Sequence, residues 1–194
     1  MSYEDMVADL GGKWEQTPEQ LEMIMNRIAS HESAGTMNPA EMQHSGGPGR
    51  GLFQFEVGEE QGGATAGNRL MNYLNSQGSE IPDWLGSLVG PGGTIKSLDA
   101  SRLSDEQQRM LFLGNYRMHP KASLKGIDDS NLGDFWADYH WAGDDKGSEL
   151  YNKKLASFGD SQTAYNVTNS PTVEETAFKS PEKKSSAFQG WFKS

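Results

Sequence analysis

One glutamate stands where an apolar helix face runs out. Leu21, Ile24, Met25 and Ile28 follow one another at helical spacing, and the next step of four is Glu32. A carboxylate there projects from the face that packs inward. Partial burial disfavours its charged form and raises its pKa, and the negative C-terminal end of the helix pushes the same way. Both effects suit proton donation near neutral pH, the task of a general acid. Arg27 and His31 oppose the shift, and the plain alternative is a helix-end carboxylate that reaches solvent.

Beyond it, Gly46-Gly47-Pro48-Gly49-Arg50-Gly51 can take positive φ and let backbone approach a ligand closely. No Lys-Ser or Lys-Thr pair follows, and no strand precedes, so a nucleotide loop does not fit. The four histidines, at 31, 44, 119 and 140, lack the His-Glu-x-x-His spacing of a zinc enzyme, and no Gly-x-Ser-x-Gly elbow marks a serine hydrolase. The residues call for neither a metal nor another cofactor.

Glu32-Ser33, then Asn38-Pro39-Ala40, then Gly51-Leu52-Phe53-Gln54 resembles the signature of the lysozyme-like lytic transglycosylases. In that family Glu-Ser ends a helix, Asn-Pro-x-Ala follows, and Gly-Leu-Met/Phe-Gln lines a glycan cleft. The wording from Gly49 to Glu56 is similar to a variant found in bacteriophage virion proteins. The resemblance covers residues 28–56. A further family element, Ala-Tyr-Asn-Ala-Gly, has its nearest counterpart in Asp138-Tyr139-His140-Trp141-Ala142-Gly143. Counting back from Gly143 puts His140 in the tyrosine's place, with Tyr139 one residue earlier. Either ring is the candidate to face the acid.

The resemblance implies a mainly α, lysozyme-like (α+β) single domain that cleaves the β-1,4 bond between N-acetylmuramic acid and N-acetylglucosamine. Glu32 would protonate the leaving oxygen, then take the proton of the muramic C6 hydroxyl as a 1,6-anhydro ring closes. Ser33 and Gln54 would hydrogen-bond sugar or orient Glu32, and Phe53, Tyr139 and His140 would complete the substrate-binding surface. Glu56, Glu59 and Glu60 keep open a hydrolase that uses a second carboxylate; a solvated acidic turn is their plainer reading. Trp84, Trp136 and Trp141 are candidates to stack on sugar rings, with core packing the alternative for Trp136. The implied setting is a phage virion, as a tail or ejection protein that opens the wall during genome delivery. An endolysin or a non-catalytic virion protein of the same shape are the competing readings.

Helix signals position these residues. Thr17-Pro18-Glu19-Gln20 and Ser104-Asp105-Glu106-Gln107 have the form of capping boxes, the first with proline at the first helical position. Leu132, Phe135, Trp136 and Tyr139 trace a further helix from Ser130 or Asn131, with Gly143 as its stop. Weaker helical patterns run over 64–74 and 148–158, residues 76–94 are loop-like, and no β-hairpin signal is strong. The expected organisation is an N-terminal arm over 1–14, the domain over 15–158 and an extended tail over 159–194.

Of 194 residues, 35% are hydrophobic, yet five Trp, six Tyr and eight Phe are enough for a compact core. Without cysteine there is no disulfide or thiolate metal site. No run is apolar and long enough to insert in a membrane, and Met1–Trp14 has no signal-peptide pattern. The net charge of −10 disfavours nucleic acid and anionic membranes as partners. In the tail, Asp160, Glu174, Glu175 and Glu182 balance Lys179, Lys183, Lys184 and Lys193, so the whole charge belongs to residues 1–158. That tail is too polar to fold alone but ends in Phe188, Trp191 and Phe192. Burying one such ring is worth roughly 1.5–3 kcal/mol, so the tail is expected to dock on a partner virion protein or, alternatively, to fold back on the domain.

Overall fold

The computed structural model describes residues 1–43, 46–57, 62–141 and 146–169, with 163–169 described by their backbone. The chain is mainly helical. Its elements are α1 (Tyr3–Trp14), α2 (Pro18–Glu32), a hairpin of β1 (Gly49–Arg50) and β2 (Phe55–Glu56), α3 (Gly63–Ser76), α4 (Asp83–Gly86), a 3-10 turn (Ala100–Arg102), α5 (Asp105–Arg117), α6 (Leu132–Phe135), a π-helical segment (Trp136–Trp141) and α7 (Glu149–Asn169).

The expected caps form. Thr17 Oγ1 accepts from Gln20 N at 3.2 Å while Gln20 Oε1 accepts from Thr17 N at 2.7 Å. Ser104 and Gln107 make the same reciprocal pair at 3.2 and 3.0 Å. Each satisfies two backbone donors that a helix start leaves open.

Two boundaries differ from the sequence expectation. Residues 1–14 are no loose arm: Ser2 and Asp5 cap α1, and Met6, Val7, Leu10 and Trp14 are buried in the common core. The stripe is helical, but Gly11-Gly12 and the flanking acids obscure it. At the other end α7 continues past residue 159 to Asn169, and Gln162 packs on α2, its Nε2 donating to the Arg27 carbonyl at 3.1 Å. The expected docking aromatics, Phe188, Trp191 and Phe192, lie outside the described residues, as do Gly143, Glu59 and Glu60. The hairpin, absent from the sequence expectation, is minimal: Gly49 pairs with Glu56 and Arg50 with Phe55. Residues 76–94 hold the short α4 within otherwise irregular chain.

Two close approaches set the frame of the site. At Gly114 of α5, an added Cβ would come within 2.8 Å of Leu70 Cα on α3, so only glycine allows these helices to pack so tightly. At Gly51, φ is +77° and an added Cβ would fall 2.2 Å from Gln108 Oε1. Gln108 is fully buried on α5. Its Oε1 accepts from Leu52 N at 2.7 Å, and its Nε2 donates to the carbonyls of Pro39 (2.8 Å) and Leu103 (3.0 Å). One amide thus ties the Asn-Pro-Ala segment, the glycine turn and α5 together.

Gln108→Leu keeps the volume but leaves one donor and two acceptors unmet. Each orphaned buried group costs about 1–3 kcal/mol, so a loss of about 3 kcal/mol is expected in urea unfolding. A loss below about 1 kcal/mol would show that other contacts hold the turn in place.

Candidate active site

Glu32 ends α2 on the same face as Ile24 and Ile28, which are fully buried, and its own side chain keeps 17% exposure. Ser33 stops the helix. Its hydroxyl donates to the Ala29 carbonyl at 2.7 Å and accepts from Met37 N at 3.0 Å. At 1% exposure Ser33 fixes the helix end behind Glu32 and does not reach the cleft. Asn38 is likewise local, its Oδ1 accepting from Ala40 N at 3.0 Å.

In front of Glu32 lies a cleft of about 420 Å³, within the size range of small-ligand sites. Phe53, Gln54 and Glu56 from the hairpin, Arg69 from α3, Asn115 and Tyr116 from α5, and Tyr139, His140 and Trp141 from the π segment share its lining with the acid.

The π segment explains how two neighbouring rings reach one cleft. A 3.6-residue turn carries Trp136 and Tyr139 inward and His140 away; a π turn is wider, closing i to i+5. Here Trp136 and Trp141 stack at 6.3 Å between ring centroids, and His140 sits with them beside Glu32. Tyr139 also lines the cleft, packed edge-on to His119 at 5.9 Å and against Phe135 at 5.6 Å.

Two polar groups stand at the acid. Trp136 Nε1–H donates to Glu32 Oε1 at 2.5 Å. His140 Nε2 stands 3.8 Å from the same oxygen, with only 7% of its side chain exposed. That nitrogen lies 2.8 Å from the Phe53 carbonyl, which can only accept, so Nε2 carries the proton. His140 Nδ1 in turn lies 2.7 Å from the Tyr116 hydroxyl. Burial, aided by the nearby Glu32 carboxylate and opposed by Arg69, pushes the Tyr116 phenol well above its ordinary range, so it remains a donor.

His31 is turned away from the acid's oxygens. Its Nδ1 meets Ser161 Oγ at 2.7 Å and its ring packs edge-on to Trp136 at 4.5 Å. Burial pulls its pKa below the usual imidazole value, against the raising influence of Glu32. Arg27 is held by Asp129 at 2.9 Å.

On the opposite wall, the turn Gly51–Gln54 joins the two strands. Leu52 and Phe53 are buried, and the Phe53 ring packs tilted against Phe112 at 4.6 Å between centroids. Gln54 takes φ +48°, the left-handed region that disfavours side chains. Its Nε2 donates to the Gly51 carbonyl at 2.8 Å, and its buried Oε1 has no hydrogen-bond partner among the described residues.

Comparison with protein-family models, curated proteins and solved structures finds no match to this chain.

The geometry thus brings Glu32, Phe53, Gln54, Tyr139 and His140 to one cleft and leaves Ser33 behind it. Of the three tryptophans considered for stacking, Trp141 lines the cleft. Trp136 is 2% exposed and serves as the donor to Glu32, and Trp84 packs against the core outside the lining. Sequence reasoning missed Trp136 as the acid's partner, and also Tyr116, Arg69 and Asn115. Tyr116 lies among the buried apolar residues of α5, where its type marks it as core, and Arg69 carries no sequence signal. Among the described residues no group of three or more His, Asp or Glu could hold a metal ion, and no helix is long and apolar enough to cross a membrane.

Proposed function

We propose that this chain is a lysozyme-like, peptidoglycan-cleaving enzyme of the lytic transglycosylase type, with Glu32 as its single acid and base. The observation that carries the reading is the placement of Glu32: a largely enclosed carboxylate at a helix end, held by Trp136 and facing a cleft of about 420 Å³. Gln54, Asn115 and His119 line the same cleft and give it polar side chains suited to a ligand rich in hydroxyl and N–H groups, as sugars are. Trp141 offers an aromatic face on the same surface.

In this reading Glu32 donates its proton to the glycosidic oxygen, and the C1–O bond breaks as the leaving sugar takes the proton. The carboxylate so formed then removes the C6 hydroxyl proton, and that oxygen bonds to C1. No water is consumed. The motif wording also leads us to place the protein in a phage virion, acting on the wall during genome delivery, with the segment after Asn169 as the part that joins it to its assembly.

One observation favours a second reading. Glu56, exposed on β2, lines the same cleft and offers the second carboxylate that a hydrolase would use on water.

Mass spectrometry of products from purified peptidoglycan separates the two. Anhydro-muropeptides are expected. Reducing ends would favour the hydrolase, and unchanged sacculi would leave a non-catalytic protein of this shape.

A further inference from the structure

The cleft that Glu32 lines also carries a cation, Arg69, for which the described residues supply no ion pair. Arg27, Arg102 and Arg109 each pair with a carboxylate. Arg69 instead donates from Nη1 to the neutral Oδ1 of Asn115 at 2.7 Å, and among the described residues it makes no ion pair. Arg50 and Arg117 also make no ion pair among the described residues, and of the described arginines Arg69 is the one that lines the cleft. Arg69 is half-buried, so leaving it unpaired has a desolvation cost, which burial registers by pulling its pKa down.

Asn115 and His119 supply neutral donors in the same lining, and neither of its described carboxylates, Glu32 and Glu56, makes an ion pair with Arg69. Gly114 lets α3 and α5 approach until Arg69 and Asn115 meet, and the Asn115 bond holds the guanidinium in one orientation. One N–H is used there; the rest of the planar fork stays available for a two-oxygen partner. His119 lines the same wall. Its Nδ1 accepts from the backbone N–H groups of Lys121 and Ala122 at 3.2 and 2.8 Å, which puts its proton on Nε2. Burial and the charges of Arg69 and Lys121 hold its pKa low, so it stays a neutral donor.

We infer that Arg69, oriented by Asn115, is a carboxylate-binding subsite of the cleft that recognises the acidic part of a muramyl substrate. This rests on the peptidoglycan reading, which supplies the carboxylate. That group is the lactyl acid where a muramic residue has lost its peptide, or a stem-peptide carboxylate where it has not. A cleft reading only N-acetylglucosamine units would have no use for this cation.

Binding to short glycan strands tests it, measured by calorimetry on the full chain carrying Glu32→Gln so that strands stay intact. Three strand types are compared: peptide-bearing, peptide-stripped with free lactyl carboxylates, and peptide-stripped with those carboxylates converted to amides. The carboxylate-bearing strands are expected to bind about tenfold more tightly than the amidated ones. Arg69→Gln should abolish that difference, and Arg69→Lys should retain part of it. A preference confined to stripped strands identifies the lactyl group as the source, and one confined to peptide-bearing strands identifies the stem. Equal binding of all three, equal weakening of all three by Arg69→Gln, or no binding overturns the subsite. Failure of the enzymatic reading is seen separately, as wild-type protein that leaves sacculi uncut.

Discussion

Replacing Glu32 by glutamine is expected to slow glycan cleavage by about 100- to 10,000-fold while leaving the fold in place. The substitution is conservative in every contact except the one that matters for chemistry. The amide oxygen can still accept from Trp136 Nε1, which now donates to Glu32 Oε1 at 2.5 Å. The amide nitrogen takes the place of the second oxygen, toward the cleft. What is lost is a proton that can leave and return. Urea unfolding midpoints of the two proteins should agree closely, because the buried part of the side chain keeps its partner. Release of soluble fragments from purified sacculi reads the rate, and a variant that works at the wild-type rate would remove Glu32 from its proposed role.

The site was legible in sequence where a local rule specifies it, and illegible where distant segments meet. Glu32 could be found because Ile24, Ile28 and Glu32 obey one helical step, and α2 keeps that step to its end. The caps at Thr17 and Ser104 are three-residue patterns with a local cause. Tyr139 and His140 could not be separated because the helical period favours Tyr139 while the count from Gly143 favours His140, and the segment from Trp136 to Trp141 turns widely enough to bring both to the cleft. The bond from Trp136 to Glu32 spans 104 residues, and the one from Gln108 to Leu52 spans 56. No spacing rule announces such pairs. The end of the domain was misplaced for a different reason. Tyr151, Leu155 and Phe158 form a stripe whose next member is the polar Gln162, so the apolar signal stops while the buried face does not. The arm over 1–14 failed in the same way, its helical stripe crossed by Gly11 and Gly12.

His140→Phe is expected to lower cleavage by about 100-fold, the typical result of shifting reacting groups by about an ångström. The ring volume is nearly kept, so the packing with Phe53, Phe55 and Phe112 survives. Both nitrogens go. The Phe53 carbonyl then loses the donor 2.8 Å away that holds the Gly51–Gln54 turn against the π segment. Tyr116 fares better, since its hydroxyl can fall back on the Tyr139 carbonyl at 3.4 Å. The net stability cost should therefore be that of one orphaned carbonyl, about 1–3 kcal/mol, visible in urea unfolding. The larger effect falls on geometry, because the released turn carries Gln54 along one wall of the cleft while Glu32 stays fixed on α2. His140→Gln separates two explanations. Its amide N–H can still donate to the Phe53 carbonyl, so partial recovery of rate identifies the imidazole as a strut for the turn. A rate as low as that of the phenylalanine variant points to the ring's own proton, 3.8 Å from Glu32 Oε1, as part of the chemistry. A His140→Phe protein that cleaves sacculi at the wild-type rate would exclude both.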